Sequence, residues 1–187
     1  NLNKESKGYG LTIDNTKNLK KATIAGSGFM LASLIVAEKR GIIKREEAID
    51  IVRHTLINFY ENISHYEGFF IHFAEYETGK RHNLSEYSTV DTMIFLCGAI
   101  AVDSYFQDEI IKTYFNKLVS RINFPKFVHL KDNKPTFYMA YNPDKDGQYV
   151  KKEPGFIHHW SMFAEQIPLY VIYAGLGYDK ALDVYKS

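Results

Sequence analysis

Three carboxylates stand out by their surroundings. Glu86 and Asp91 lie in SEYSTVDTMIFLCGAIAV (85–102), where a cluster of hydroxyls runs straight into an apolar stretch. Glu165 lies in SMFAEQIPLYVIYA (161–174), which carries no other charge. A carboxylate in such a setting is costly to bury unless it is partnered or faces a water-filled cavity. Two carboxylates converging on one cleft, one of them in the more apolar setting, is what acid–base cleavage of a glycosidic bond requires. Each residue also has a plainer explanation. Ser88-Thr89-Val90-Asp91 fits a capping box, with Ser88 at the N-cap and Asp91 reaching back to its amide. A buried Glu165 could equally be satisfied by a Tyr or His.

Other side chains offer less chemistry. Seven histidines raise the question of a metal, but His158-His159 and His65 with His72 lack helical i, i+4 ligand spacing, and Cys97 is the only cysteine. No metal and no cofactor is expected. His72, beside Phe70 and Phe73, reads as a hydrogen-bonding wall residue. Gly26-Ser27-Gly28 follows no strand and precedes no suitably placed Lys, so it reads as small residues that let two helices approach closely. Tyr66, Phe69, Tyr87, Tyr138, Tyr141, Phe156 and Trp160 fall on two long loops. Exposed beside carboxylates, they would suit the C–H faces of sugars.

The elements that must position these residues alternate. TIAGSGFMLASLIVAEKRG is apolar or small on every side from Ile24 to Ala37 and ends in a cationic turn with Gly41 as cap. KREEAIDIVRHTLINFYENI (44–63) places Ala48, Ile51, Val52, Leu56, Phe59 and Ile63 on one face, with Glu46 and Glu47 in the first turn. The pair recurs as an all-round apolar helix at 88–106 and an amphipathic one at 108–121, with Ile110, Ile111, Tyr114, Leu118 and Ile122 on its face. A third apolar helix is expected from about Ser161 to Ala174, kinked or broken at Pro168, with an amphipathic partner opening at Asp179.

A helix apolar all round must be covered all round, whereas an amphipathic one faces water on one side. Three such hairpins predict an all-α chain of two helical layers, an α/α toroid if closed or a solenoid if open. Asp91 and Glu165, near the starts of consecutive inner helices, would then face the same opening. The chain reads as one domain, residues 1–187, forming about half of a larger barrel. Its parts are a polar lead-in (1–22) and hairpins at about 23–63, 88–122 and 160–187. Between them, GFFIHF (68–73) and PTFYMAYN (135–142) read as short strands, with turns at YETGK and PDKDG.

The totals set bounds. The 187 residues are 45% hydrophobic and 24% charged, a globular balance with enough chain for a sizeable core. A net charge of +1 gives no reason to expect nucleic acid or an acidic membrane surface. Cys97 reads as a small buried hydrophobe, and no apolar run of about 18 residues suggests a membrane span. Aromatics, at 15%, are in surplus. The chain opens on Asn1 rather than Met, so a processed or trimmed product is expected.

Four segments together carry a resemblance: ATIAGSGFMLASLIVAEKRGIIKREEAIDIV, EGFFIHFAEYETGKR, SEYSTVDTMIFLCGAIAV and AEQIPLYVIYAGLG. They resemble, in order across residues 22–177, the pattern ATGFGLAAL…RGW, HGFFYHF…TGKR, SE.STIDTALL..GAL and SE..LLY.LALG of the bacterial glucoamylase-like family. That family includes endo-β-1,2-glucanases and the glucanase-like module of cyclic β-1,2-glucan synthases. The resemblance implies an (α/α)6 toroid of roughly twice this length, with an oligo- or polysaccharide in its central cleft. It places catalytic carboxylates at Asp91 and Glu165, with Glu86 as a third candidate. His72, Arg81, Trp160, Tyr66, Phe70, Tyr87 and Tyr141 would contact the sugar. It also implies a periplasmic or secreted location. The chain departs from the pattern at AEQIP and at Phe137–Tyr141. The function expected is a glycoside hydrolase acting on a glucan, with transglycosylase and non-catalytic glycan-binding or scaffold roles as alternatives.

Overall fold

The computed structural model describes residues 2–131, 134–144, 154–161, 164–178 and 181–186. The expected residues Lys145–Gly147 of the second turn, together with Phe163 and Asp179, lie outside them. The inner row of helices is α1 (Ile24–Lys39), α3 (Thr89–Phe106) and α5 (Ile167–Gly175), with α1 against α3 and α3 against α5. Behind it lie α2 (Arg45–Glu61) and α4 (Glu109–Ser120), packed on each other, while α6 (Ala181–Lys186) packs on α5. Helices so arranged make a partial helical toroid.

The α1–α3 contact rests on glycine. A Cβ at Gly98 would stand 2.2 Å from the Gly28 carbonyl oxygen, and one at Gly28 would stand 2.5 Å from that of Ile94. The two backbones therefore touch directly, as the small residues of Gly26-Ser27-Gly28 suggest. At its far end α1 closes with Gly41 at φ 69°, its amide donating to Glu38 and that of Ile42 to Ala37, which satisfies two of the last carbonyls. Helix α2 buries Ala48, Ile51, Val52, Leu56 and Phe59 as its spacing predicts. Asn58 on the same face donates to the Lys7 and Tyr9 carbonyls and pins the N-terminal segment to the helix.

That segment is more ordered than its polar sequence suggests. Strands β1 (Thr12–Asn15) and β2 (Asn18–Thr23) form a hairpin whose turn is closed by Asn15, which accepts from the amides of Lys17 and Asn18. Strand β2 leads directly into α1. Strands β3 (His65–Tyr66) and β4 (Phe69–Phe70) form a second hairpin, turning through left-handed Glu67 and Gly68. Strand β5 (Phe73–Glu75) joins β2, so the single strand expected over 68–73 is interrupted at Ile71 and His72. Strand β6 (Tyr87–Ser88) leads into α3. A 3-10 turn (Phe124–Phe127) introduces β7 (Val128–Lys131). The long β8 (Lys134–Asn142) pairs with β7, β6 and β9 (Gly155–His159), all antiparallel. Strands thus feed straight into the first turns of α1 and α3, so this end of the inner row carries the polar groups.

Several expectations are corrected. Helix α5 begins at Ile167 and not at Ser161. Pro168 occupies its first turn, where a missing amide costs nothing and the fixed φ suits the helix, so it starts α5 and does not kink it. Cys97 is exposed, on a face of α3 turned away from its packed neighbours, and Ile110 is also exposed. Helix α3 does have the length and apolarity to cross a membrane, contrary to the expectation. Just over half of it, 56%, is buried, chiefly against its helical neighbours, which accounts for that composition.

Candidate active site

The strand-fed ends of α1 and α3 border a cavity of about 600 Å³. Ala25 and Phe29 of α1, Val90 and Ile94 of α3, and Met139, Ile157 and Trp160 give it apolar walls. Its polar groups are Thr23, His72, Glu86, Ser88, Asp91, His158 and Glu165. The three carboxylates singled out in the sequence are therefore brought together.

Asp91 lies in the first turn of α3 and is buried. Ser88 is the N-cap, its Oγ accepting from the Asp91 amide (3.3 Å) and donating to Asp91 Oδ2 (2.5 Å). The cap is thus not the reciprocal box expected, because Asp91 bonds the Ser88 hydroxyl in place of its amide. Thr92, one residue on, donates to the Ser88 carbonyl and accepts from the Phe70 amide (2.8 Å), tying the loop to the helix start. Glu86 is also buried. Its Oε1 meets His72 Nδ1 at 2.9 Å, while its Oε2 has no hydrogen-bond partner among the described residues. On its other side His72 presents Nε2 to Asp91 Oδ1 at 3.8 Å. Because both ring nitrogens face carboxylates, these residues do not converge on a point as metal ligands would. Among the described residues no such group exists.

The three titrations diverge. Burial raises the Asp91 carboxyl above its usual range. His72 and the Ser88 hydroxyl oppose that rise, and the charges of Glu86 and Glu165 add to it. Burial would raise Glu86 as well, but the His72 hydrogen bond and charge, with Arg81 behind it, outweigh burial and hold it low. For His72 burial works downward and is overcome by the Glu86 bond and by the charges of Asp91, Glu86 and Asp14, so its imidazolium is favoured. A carboxyl pushed up beside one held down is the kind of contrast acid–base catalysis uses.

Glu165 differs from expectation in a useful way. It stands in the turn before α5, exposed, and lines the cavity. It carries no burial cost, since it faces water. Trp160 is buried as part of the cavity wall, with its indole N–H donating to Thr89 Oγ1 (3.2 Å). Thr89 in turn donates to the Met139 carbonyl (2.8 Å), joining the first residue of α3 to β8.

The remaining expected contacts lie off the cavity. Phe70 is a core residue, edge-on to Phe59 and Phe95. Arg81 is engaged with the Ser85 carbonyl, Asp144 and Asn142, and its guanidinium sits over Tyr87. Tyr66 and Tyr141 stack on each other at 4.1 Å, with Tyr87 tilted beside them. Sequence reasoning missed Phe29, which is 67% exposed on α1 and lines the cavity. The signal available was its place immediately after the close-approach glycine. It also missed His158, which takes a left-handed φ of 33° at the cavity rim.

No family model matches the chain, and no curated relative matches its sequence. Solved structures do match. An endo-β-1,2-glucanase from Chitinophaga pinensis, in complex with sophorotriose and glucose, is 22% identical with a TM-score of 0.67, over 86% of this chain and 38% of its own. A candidate glucoamylase from Bacteroides uniformis gives 23% and 0.76, over 92% and 42%. A β-1,2-glucanase from Parabacteroides distasonis gives 20% and 0.71, over 89% and 24%. The likeness expected from the four sequence segments is thus met, as a likeness of fold. The chain spans only about a quarter to two-fifths of the length of these proteins.

Proposed function

We propose that the chain forms part of a carbohydrate-active hydrolase that cleaves a β-linked glucan. Asp91 protonates the glycosidic oxygen, and Glu165, exposed on the same cavity, activates the attacking water. Glu86 stays ionised and holds His72. The observation that carries this reading is the placement of a buried Asp91, whose carboxyl burial pushes up, and an exposed Glu165 on one cavity with apolar walls. In the complete enzyme further helical hairpins would close the inner row into an (α/α)6 toroid around a sugar chain, as the relative lengths of the similar structures suggest. Reducing-sugar release over a panel of α- and β-linked glucans tests the assignment. Cleavage by the wild type, and none by Asp91→Asn or Glu165→Gln, supports it. Full activity in both variants would refute it.

A second reading is favoured by the bonds the carboxylates already make. Asp91 is held by Ser88, and Glu86 by His72, as in a non-catalytic glycan-binding protein. Glucan binding without release of any product, hydrolytic or transferred, would select that reading.

A further inference from the structure

His72 lies between two buried carboxylates that the fold treats differently. Its Nδ1 is 2.9 Å from Glu86 Oε1 and its Nε2 is 3.8 Å from Asp91 Oδ1. Glu86 Oε2 is buried without a hydrogen-bond partner among the described residues. Asp91 Oδ2 is taken by the Ser88 hydroxyl, which leaves Oδ1, the oxygen facing His72, to exchange a proton with the cavity. The imidazole is fixed by stacking on Phe73 at 3.7 Å, and the His72 amide donates to the Glu86 carbonyl at 2.8 Å. Backbone and side chain of the pair are therefore locked together.

We propose that His72 is a positioning residue for Asp91, an imidazolium held by Glu86 so that the charge left when Asp91 releases its proton is countered on the spot. The proton passes from Asp91 to the departing oxygen, the electron pair of the broken O–H bond stays on Asp91, and that carboxylate faces a cation already in place. His72 keeps its own protons throughout. Without it, burial alone would make Asp91 hold its proton too tightly. The role rests on the reading of Asp91 as the acid, and it replaces the sugar-contacting role expected from sequence. The other charges facing this cluster are Asp14 of β1, paired at 2.8 Å with Lys21 of β2, whose ammonium sits over Phe73; Arg81, which acts on Glu86; and Glu165, which acts on Asp91. His158 also borders the cavity, and α1 contributes no charge there.

Histidine-selective NMR titration of the 187-residue chain tests this, with the His72 resonance assigned by its loss in His72→Asn. The midpoint is expected above the ordinary histidine value of about 6.5, with Glu86→Gln weakening proton binding roughly tenfold or more and Asp91→Asn weakening it less. A midpoint that moves in neither variant overturns the proposal. If Glu86→Gln does not fold, the Asp91→Asn shift alone decides. Where cleavage is measurable, the limb of the pH–rate profile belonging to Asp91 should move to higher pH in His72→Asn, because the charge that favours ionised Asp91 is removed while Glu86 stays; an unmoved limb would overturn the positioning role. Coupled titration, with no cleavage of any glucan by the complete enzyme, supports the pairing and refutes the hydrolase reading. Cleavage with an indifferent histidine refutes the pairing alone.

Discussion

Asp91 and Asp108 stand at the starts of consecutive helices, one bonded to the N-cap hydroxyl and the other the N-cap itself, yet their proton affinities move in opposite directions. Asp108 is the N-cap of α4 and accepts from the amides of Ile110 and Ile111. Arg53 of α2 donates to it at 2.9 Å, and that bond, with the two amides, holds its carboxyl down to about 2. Asp91 has a hydroxyl where Asp108 has a guanidinium, and it is buried beside the apolar cavity wall, so its carboxyl rises. Both residues obey the same helix-start rule. What separates the two is burial beside the cavity for Asp91 and a direct guanidinium bond, brought from another element, for Asp108.

The largest expected effect divides the two sites by readout. Asp91→Asn should lower glucan cleavage by about 10²–10⁴-fold, the usual worth of a general acid, with little loss of thermal stability. Asp108→Ala should do the reverse, leaving cleavage unchanged while costing about 1–2 kcal/mol in urea denaturation, since it removes both the cap and the Arg53 partner. Equal losses of activity in the two variants would erase the distinction.

Opposite dependences on pH come next. The folded Asp108 value lies below its unfolded value of 3.8, so its stabilisation is complete above 3.8 and is lost as pH falls towards about 2. Asp108→Asn should lose this acid-side slope. The folded Asp91 value lies above 3.8, so wild type is undisturbed below that pH and loses stability as pH rises through the folded value. Asp91→Asn should therefore gain on wild type with rising pH, and parallel stability curves would contradict the assigned burial. The smallest effect belongs to Ser88→Ala, which should cost about 1 kcal/mol as a lost N-cap and also raise the Asp91 carboxyl further. An Asp91 titration unmoved by that change would sever cap from cavity.

The helical frame is legible because periodicity reports how much of a helix must be covered. That is why 44–63 and 88–106 correspond closely to α2 and α3, and why Gly28 marks a close approach. Periodicity does not say which neighbour does the covering. Phe70 was indistinguishable from a sugar-facing ring until Phe59 and Phe95 were placed around it. Glu165 shared an apolar stretch with α5, but Pro168 defers the helix start and leaves the carboxylate in an exposed turn. The β1–β2 hairpin rests on an asparagine turn and on pairing with the distant β5, and neither leaves an apolar rhythm in residues 12–23. The link from Glu86 through His72 to Asp91 required the break in the strand at His72, which no spacing rule encodes.

Trp160 is the chain's single indole, and it is built into the cavity wall with its N–H on the first residue of α3. Selective excitation of tryptophan therefore lights one place in the molecule, without any label. Its emission colour follows the wetness of that wall, so a sugar that displaces water from it shifts the light to the blue. Loss of the Thr89 bond, with α3 parting from β8, shifts it to the red. The protein carries its own optical gauge of whether the cavity is filled and whether its wall is intact.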